Sequence, residues 1–259
     1  MRINIIGIDC ATNPADVGIA FGRFCNGHTV VERIQQGSHR QKPADIVVSW
    51  LKGQDAPALL ALDAPLGWPN SMAEELSVHN AGKKFTSFAH NLFRRTTDIF
   101  IKEKIGKQSL DVGADRIART AYSALELLDS LSQMLGHDIE LAWEPRINGI
   151  KVIEVYPAAT LIAHGIDTQG YKSPSGKEGR LRVIADLKFC LKVSGEIPSI
   201  EKRSDSVDAI ACVLAGQDFL SGLAFQPPVD APVVKEGWIW VRRPDAQPGA
   251  SSRRKGPRG

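Results

Sequence analysis

Short apolar segments separated by polar ones occupy the first 63 residues. Three of these segments contain β-branched residues and are long enough for one strand each: residues 3–8, 17–22 and 28–34. Asn26-Gly27, between the second and the third, is a strong signal for a hairpin turn. A helical apolar face over 44–52 precedes a buried strand over 58–63. The pattern predicts the order β-β-β-α-β, with three antiparallel strands and then a helical crossover to a fourth.

Helical spacing of apolar residues dominates the rest of the chain. The clearest helix covers residues 115–135, and a fifth strand is expected over 151–157. Further helices are predicted over 158–164, 177–193 and 204–220. Residues 233–241, with Trp238 and Trp240, are interpreted as a last strand. The whole pattern indicates an α/β fold with a mixed five-stranded sheet and flanking helices.

Length and composition fit a single domain of this class. The chain has 259 residues, of which 43% are hydrophobic and 24% charged, so extensive disorder is excluded. Residues 1–241 are assigned to the domain, and the polar stretch of about 66–112 to a helical insertion in it. Residues 242–259 are predicted to be a disordered tail, because Pro, Gly, Ser and Arg dominate them.

The excess of positive charge lies in that tail. Of 32 basic and 29 acidic residues, six basic and one acidic fall within 242–259. The remaining 26 basic and 28 acidic residues give the folded part a net charge of −2. The formal total of +3 therefore does not predict a folded surface built to bind nucleic acid.

Several protein classes are excluded by missing patterns. No apolar run approaches the length of about 20 residues that crosses a membrane, and the N-terminus does not resemble a signal peptide. The four cysteines lie far apart and none forms a CxxC pair, which argues against a zinc ribbon. Unpaired cysteines fit a protein of the reducing cytoplasm. Neither GxGxxG, a P-loop nor a GxSxG elbow is present.

Four acidic residues occupy positions from which they can meet. Asp9 and Asp63 end the first and fourth strands, and Asp205 and Asp208 lie one turn apart at the start of a late helix. Each alone is explained more simply as a turn former or a helix-start residue. Carboxylates gathered at the carboxyl edge of a sheet repel one another, and a divalent ion relieves that repulsion. Such oxygen clusters select Mg²⁺ or Mn²⁺ over zinc.

Four other residues have two open interpretations each. Glu154, in an otherwise apolar strand, is either a metal ligand or the partner of Arg95. Arg95 either pairs with Asp98 or binds a substrate phosphate through its planar guanidinium. Lys83 and Lys84, next to aromatic residues, either contact a nucleic-acid backbone or form a solvated face.

Five motifs in order resemble the DUF429 family of predicted nucleases. They are Gly7-Ile8-Asp9-Cys10-Ala11, Asp63-Ala64-Pro65-Leu66-Gly67-Trp68-Pro69, Arg95-Thr96-Thr97-Asp98, Glu154-Val155-Tyr156-Pro157-Ala158-Ala159 and Asp205-Ser206-Val207-Asp208-Ala209-Ile210-Ala211. The order of the acids is similar to that of the RuvC Holliday-junction resolvases. The resemblance implies a ribonuclease H-like fold and metal-dependent hydrolysis of DNA or RNA.

The resemblance also implies roles for the acids. Asp9 would bridge two Mg²⁺ or Mn²⁺ ions, with Asp63 and Asp208 completing one ion's shell each, and Asp205 or Glu154 would be a further ligand. Two other functions stay open. A catalytically inactive module of the same fold could bind nucleic acid or protein, and the β-β-β-α-β start is shared with actin-like phosphotransferases, although the chain is too short for their two domains.

Overall fold

A seven-stranded mixed sheet forms the centre of the computed structural model, which describes residues 2–113, 115–194, 196–200 and 202–245. The strands are β1 (Arg2–Asp9), β2 (Gly18–Cys25), β3 (His28–Gln36), β4 (Ala58–Asp63), β5 (Glu140–Leu141), β6 (Ile150–Glu154) and β7 (Lys192–Val193). Their order is β5-β6-β4-β1-β2-β3-β7. Strands β1, β2 and β3 pair antiparallel, whereas β4 and β6 continue from β1 in parallel.

The predicted α/β class is confirmed: a mixed sheet with flanking helices and a helical insertion. The expected count of five strands is wrong, because β5 and β7 extend the two edges of the sheet. Each of these strands has only two residues, which is too short to leave a periodic pattern in the sequence.

Nine helices surround the sheet in the described part of the chain. They are α1 (Pro43–Leu51), α2 (Asn70–Val78), α3 (Ala89–Phe93), α4 (Thr96–Ile105), α5 (Asp115–Leu135), α6 (Pro157–Ala163), α7 (Lys177–Cys190), α8 (Asp205–Leu220) and α9 (Val233–Glu236), besides a 3-10 turn at Pro14–Asp16. Helices α2, α3 and α4 fall within the predicted insertion.

The sheet buries both faces, which explains why its strands read as nearly continuous apolar runs. Ile6 and Ile8 of β1 lie in one core with residues of α1 and α5. Ile5, which points the other way, lies in a second core with residues of α7 and α8. Side chains alternate between the faces along each strand, so even-numbered and odd-numbered residues of β1 belong to different layers.

Glycines let α8 approach the sheet at backbone distance. A Cβ added to Gly7 of β1 would lie 2.2 Å from the carbonyl oxygen of Ala209, and one added to Gly18 of β2 would lie 2.3 Å from that of Asp205. Neither distance is possible for a real side chain, and both contacts are with backbone atoms that cannot move aside. The first two turns of α8 therefore rest directly on β1 and β2.

The last strand predicted over residues 233–241 is wrong. Val233–Glu236 forms α9, and Gly237 then adopts a left-handed φ of 71°, which interrupts extended backbone. Only Ile239 pairs with the sheet, through a single bridge to Glu154. Trp238 and Trp240 are buried as expected of core residues. Apolar β-propensity in this segment thus reflects burial rather than pairing.

The C-terminal segment begins inside the folded structure. Arg242, placed in the predicted tail, bridges to Ala224 and forms an ion pair with Asp218. Residues 246–259, the rest of that predicted tail, lie outside the described residues. Among the helices of the described part, none has the length and apolar character needed to span a membrane.

Replacing Gly7 with alanine should lower the free energy of unfolding by about 3 kcal/mol, because the new methyl group must push α8 away from β1. Chemical denaturation measures the change. The matched control is Gly53→Ala, at an exposed position whose nearest atom lies 3.8 Å from the added Cβ. A Gly7→Ala protein as stable as the control variant would contradict the close packing of α8.

Candidate functional site

Asp9 and Asp63 stand side by side at the carboxyl edge of the sheet. They are register partners at the ends of the parallel strands β1 and β4, whose backbones are about 4.8 Å apart in such a pair. Asp9 follows Gly7 by two residues and Asp63 follows Ala61 by two, so both side chains share the face that α8 covers. The register of β1 and β4 thus brings the two acids together, as the sequence predicted.

Helix α8 brings the third carboxylate to the same place. Asp208 lies in its first turn, one turn beyond the backbone contact between Asp205 and Gly18, and Gly18 is the register partner of Asp9. Asp208 is buried, and its Oδ1 accepts a hydrogen bond of 2.7 Å from the hydroxyl of Tyr171. We refer to Asp9, Asp63 and Asp208 as the acid cluster.

Asp205 faces a different neighbourhood. Its carboxylate accepts a hydrogen bond of 3.0 Å from Nε2 of Gln36 and forms an ion pair with Arg203. The charge of Asp205 still acts on Asp9, whose pKa it raises slightly after larger contributions from burial and the other acids. Asp205 therefore borders the acid cluster, and its predicted role as a further ligand stays a prediction.

Repulsion within the acid cluster shows in the pKa values. Burial, followed by the charges of Asp208 and Asp63, raises the pKa of Asp9 well above its usual range. Burial and the charge of Asp208 raise the pKa of Asp63 to about 7, against the opposing charge of Lys172. In a protein without a bound cation, both carboxyl groups thus bind protons more tightly than they do in water.

The acid cluster offers hard oxygen ligands but not a closed metal cage. Among the described residues, no three His, Cys, Asp or Glu side chains are grouped closely enough to hold a metal ion together. Within the ranges that the structure describes, no group donates a hydrogen bond to the carboxylate of Asp9 or of Asp63 or forms an ion pair with it. The two oxygens of Asp208, in contrast, contact the hydroxyl of Tyr171 and the ammonium group of Lys172. Two partnerless carboxylates fit a hard cation, and Asp208 fits one after its partners move.

Arg95 and Glu154 form a buried cluster of their own with Asp98. Nη1 and Nη2 of Arg95 donate to Glu154 at 2.8 and 2.6 Å, and Nε and Nη2 donate to Asp98 at 3.0 Å each. A further bond of 3.0 Å from Nη1 to the carbonyl oxygen of Glu236 uses the last donor. The backbone N–H of Leu66 also donates to Glu154. We call Arg95, Asp98 and Glu154 the arginine cluster.

These contacts correct two predicted roles. Every N–H of Arg95 already has a partner and its side chain is 1% exposed, so it has no donor for a substrate phosphate. Both oxygens of Glu154 are engaged, and Glu154 is the register neighbour of Leu62, which faces the opposite side of β4 from Asp63. Of the two interpretations of each residue, ion pairing fits the structure, whereas phosphate binding by Arg95 and metal ligation by Glu154 do not.

Lys83 and Lys84 lie on the surface, in the segment that joins α2 to α3. Neither lines the cleft beside Asp63. Their contact with a nucleic-acid backbone stays a prediction, and a solvated face describes their surroundings in the structure.

A cleft of about 310 Å³ opens beside the acid cluster. Asp63 lines it, and so do Lys107 and Lys172, besides the three residues of the arginine cluster. Apolar side chains of Leu110 and Ile117 complete a surface of mixed character. Lys107, Lys172 and Tyr171 leave no signal in the sequence, because they lie in irregular segments whose positions depend on tertiary packing.

Residues 7–232 match the sequence model of DUF429, described as a protein of unknown function. The chain belongs to the DUF429 family. This membership confirms the resemblance drawn from the five motifs.

Other matches of this DUF429 protein are remote. A search of curated proteins finds no match. Among solved structures, T. thermophilus RuvC in complex with a Holliday junction substrate is similar to this chain with 12% identity and a TM-score of 0.36, covering 82% of this chain and 90% of that one. The strand order and register define the fold class, and the sequence match defines the family.

The pKa of Asp63 predicts how metal-free stability depends on pH. A carboxyl group whose pKa is raised to about 7 binds more protons in the folded than in the unfolded state between about pH 4 and pH 7. Stability should therefore fall as pH rises through this window, and Asp63→Asn should flatten the fall. Denaturant titrations in EDTA measure it, with exposed Asp55→Asn as the control. A slope that Asp63→Asn leaves unchanged would be the contrary result.

Breaking the arginine cluster should be costly. Glu154→Gln leaves the buried Arg95 guanidinium short of one negative charge, and we expect a loss of about 3–5 kcal/mol in unfolding free energy. The matched control is Glu32→Gln, which breaks the partly exposed pair with Arg23 and should cost less than about 1 kcal/mol. Equal losses in the two variants, measured by denaturation, would show that the arginine cluster has no special structural weight.

Proposed function

We propose that this protein is a nuclease that hydrolyses phosphodiester bonds of nucleic acid with Mg²⁺ or Mn²⁺ held by the acid cluster. One observation carries the proposal. Two carboxylates that have no hydrogen-bond or ion-pair partner among the described residues stand in register on adjacent parallel strands, and a helix packed at backbone distance adds a third. Folding such a group together is unfavourable unless a cation binds it, because the charges repel one another outside bulk water.

The side chains supply distinct parts of the proposed site. Asp9 lies between the strand carrying Asp63 and the helix carrying Asp208, so it is the residue placed to contact a cation shared with either neighbour. When bound, two divalent ions would generate a hydroxide from water and neutralise charge on the attacking and leaving oxygens. The fixed backbone positions of all three acids set the separation between such ions.

The cleft supports a phosphate-bearing substrate. Lys107 and Lys172 place two positive charges in the wall of the cleft that Asp63 also lines. Leu110 and Ile117 offer apolar surface for a sugar or base. Attraction of nucleic acid to the rest of the molecule would come chiefly from basic residues outside the acidic body, such as those of 246–259, because residues 1–241 have a net charge of −2.

A nucleic-acid-binding module without catalysis is the second candidate. It is favoured by one observation, the occupation of both Asp208 oxygens by Tyr171 and Lys172. In that case the lysine would neutralise the acids permanently and no metal would bind. Titration of Mn²⁺ by calorimetry separates the two candidates, since the nuclease requires binding and the inactive module excludes it.

Cleavage assays test the nuclease directly. With Mn²⁺ present and a panel of single-stranded, duplex and branched DNA and RNA, we expect Asp9→Asn and Asp208→Asn each to reduce cleavage by about 100-fold or more, because each removes a charged ligand. Asp55→Asn, an exposed acid away from the cleft, is the control and should leave cleavage unchanged. Cleavage that survives both active-site changes would refute the proposed nuclease site.

A further inference from the structure

Lys172 places a positive charge inside the acid cluster. Its Nζ lies 3.1 Å from Oδ2 of Asp208, while the neighbouring Tyr171 donates its hydroxyl hydrogen to Oδ1. Both residues belong to the segment between α6 and α7, so one short stretch of chain occupies both oxygens of Asp208. To bind a metal ion, Asp208 would need at least one of these two oxygens to be free.

The charge of Lys172 reaches all three acids. It lowers the pKa of Asp9 and of Asp63, opposing the rise that burial and repulsion cause. In return, although burial opposes it, the charges of the acid cluster raise the pKa of Lys172 above its usual value. Lysine is protonated at neutral pH, so the ammonium group, 3.1 Å from Asp208, acts as a counter-ion to the acid cluster.

Hydrogen bonds fix the backbone on both sides of Lys172, whereas its side chain is partly exposed to solvent. Nη1 of the buried Arg180 donates to the carbonyl oxygens of Tyr171 at 3.0 Å and of Ser173 at 2.6 Å, on both sides of Lys172. The Lys172 side chain is 51% exposed, whereas that of Asp208 is 2% exposed. Lys172 also lines the cleft. The Lys172 side chain thus borders both Asp208 and the open cleft.

We propose that Lys172 is the resident counter-cation of the acid cluster and exchanges with a divalent ion at Asp208. The exchange rests on the proposed function, because it requires metal binding by the acid cluster. Once displaced, Nζ would lie in the cleft with Lys107 and pair with a substrate phosphate. Lys172 is then a positioning residue that holds the acids together before metal arrives and receives the phosphate afterwards.

Coulomb's law explains both the exchange and its consequence. A divalent ion attracts a carboxylate about twice as strongly as an ammonium group does at the same distance, so it can displace Lys172. The lost pair with Asp208 must be subtracted from the binding energy of the ion. The wild-type protein should therefore bind the ion more weakly than a variant without this ammonium group.

Calorimetric titration of the full chain with Mn²⁺ tests the exchange. We expect Lys172→Met to bind Mn²⁺ roughly tenfold more tightly than wild type, while Lys172→Arg, which keeps the charge, stays near the wild-type value. Lys107→Met is the matched control, because it removes the same charge from the same cleft without touching Asp208. Its effect should be within about twofold, since solvent and salt screen an exposed charge.

Thermal unfolding in EDTA provides a readout that does not depend on metal. Without its counter-ion the acid cluster repels itself more strongly, so Lys172→Met should melt below wild type and below Lys107→Met. Saturating Mn²⁺ should raise the melting temperature of Lys172→Met by more than it raises that of wild type, because the ion replaces the missing charge.

The outcomes separate this proposal from the proposed function. Mn²⁺ binding with the same affinity in wild type and Lys172→Met, or an equal gain in Lys107→Met, overturns the exchange and leaves the nuclease standing. No Mn²⁺ binding by any variant overturns both. A lowered melting temperature of Lys172→Met alone, together with selectively tightened Mn²⁺ binding, supports the exchange.

Discussion

Repulsion among the carboxylates of the acid cluster is the constraint on which the site depends. The backbone leaves these groups no means of separating, because Asp9 and Asp63 end adjacent strands in register and α8 lies against Gly7 without room for a methyl group. Their charge must be compensated by protons, by the ammonium of Lys172 or by metal ions. A sheet edge built in this way selects for cations, and the proposed chemistry uses that selection.

The arginine cluster explains how the cleft keeps its shape. Arg95 is the N-cap residue of α4, Glu154 ends β6, and the backbone of α9 accepts a hydrogen bond from the same guanidinium. One buried cation thus ties the insertion and the C-terminal segment to the sheet, and its cluster forms part of the cleft wall. Glu154, an acid with a structural role, pairs in register with Leu62, the residue before the proposed catalytic Asp63. Because side chains alternate along a strand, Glu154 and Asp63 lie on opposite faces of the sheet.

The sequence predicted what depends on local pattern. Apolar runs revealed the five principal strands, and acids at strand ends led to Asp9 and Asp63, because parallel strands align their carboxyl ends. Other features depend on tertiary contacts that leave no local signal. Lys172 reaches Asp208 from an irregular segment, and Arg95 and Glu154 meet across 59 residues, so the sequence could name the pair as one of two alternatives but could not show that every donor is used.

Metal chemistry at the sheet edge requires that divalent ions bind the acid cluster in exchange for Lys172. A crystal structure of the protein soaked in Mn²⁺, with anomalous scattering recorded at the manganese edge, tests it most directly. We expect manganese within about 2.6 Å of carboxylate oxygens of Asp9 and Asp208, with Nζ of Lys172 moved into the cleft. Lys172 still paired with Asp208, and no manganese at the sheet edge at saturating concentration, would contradict it.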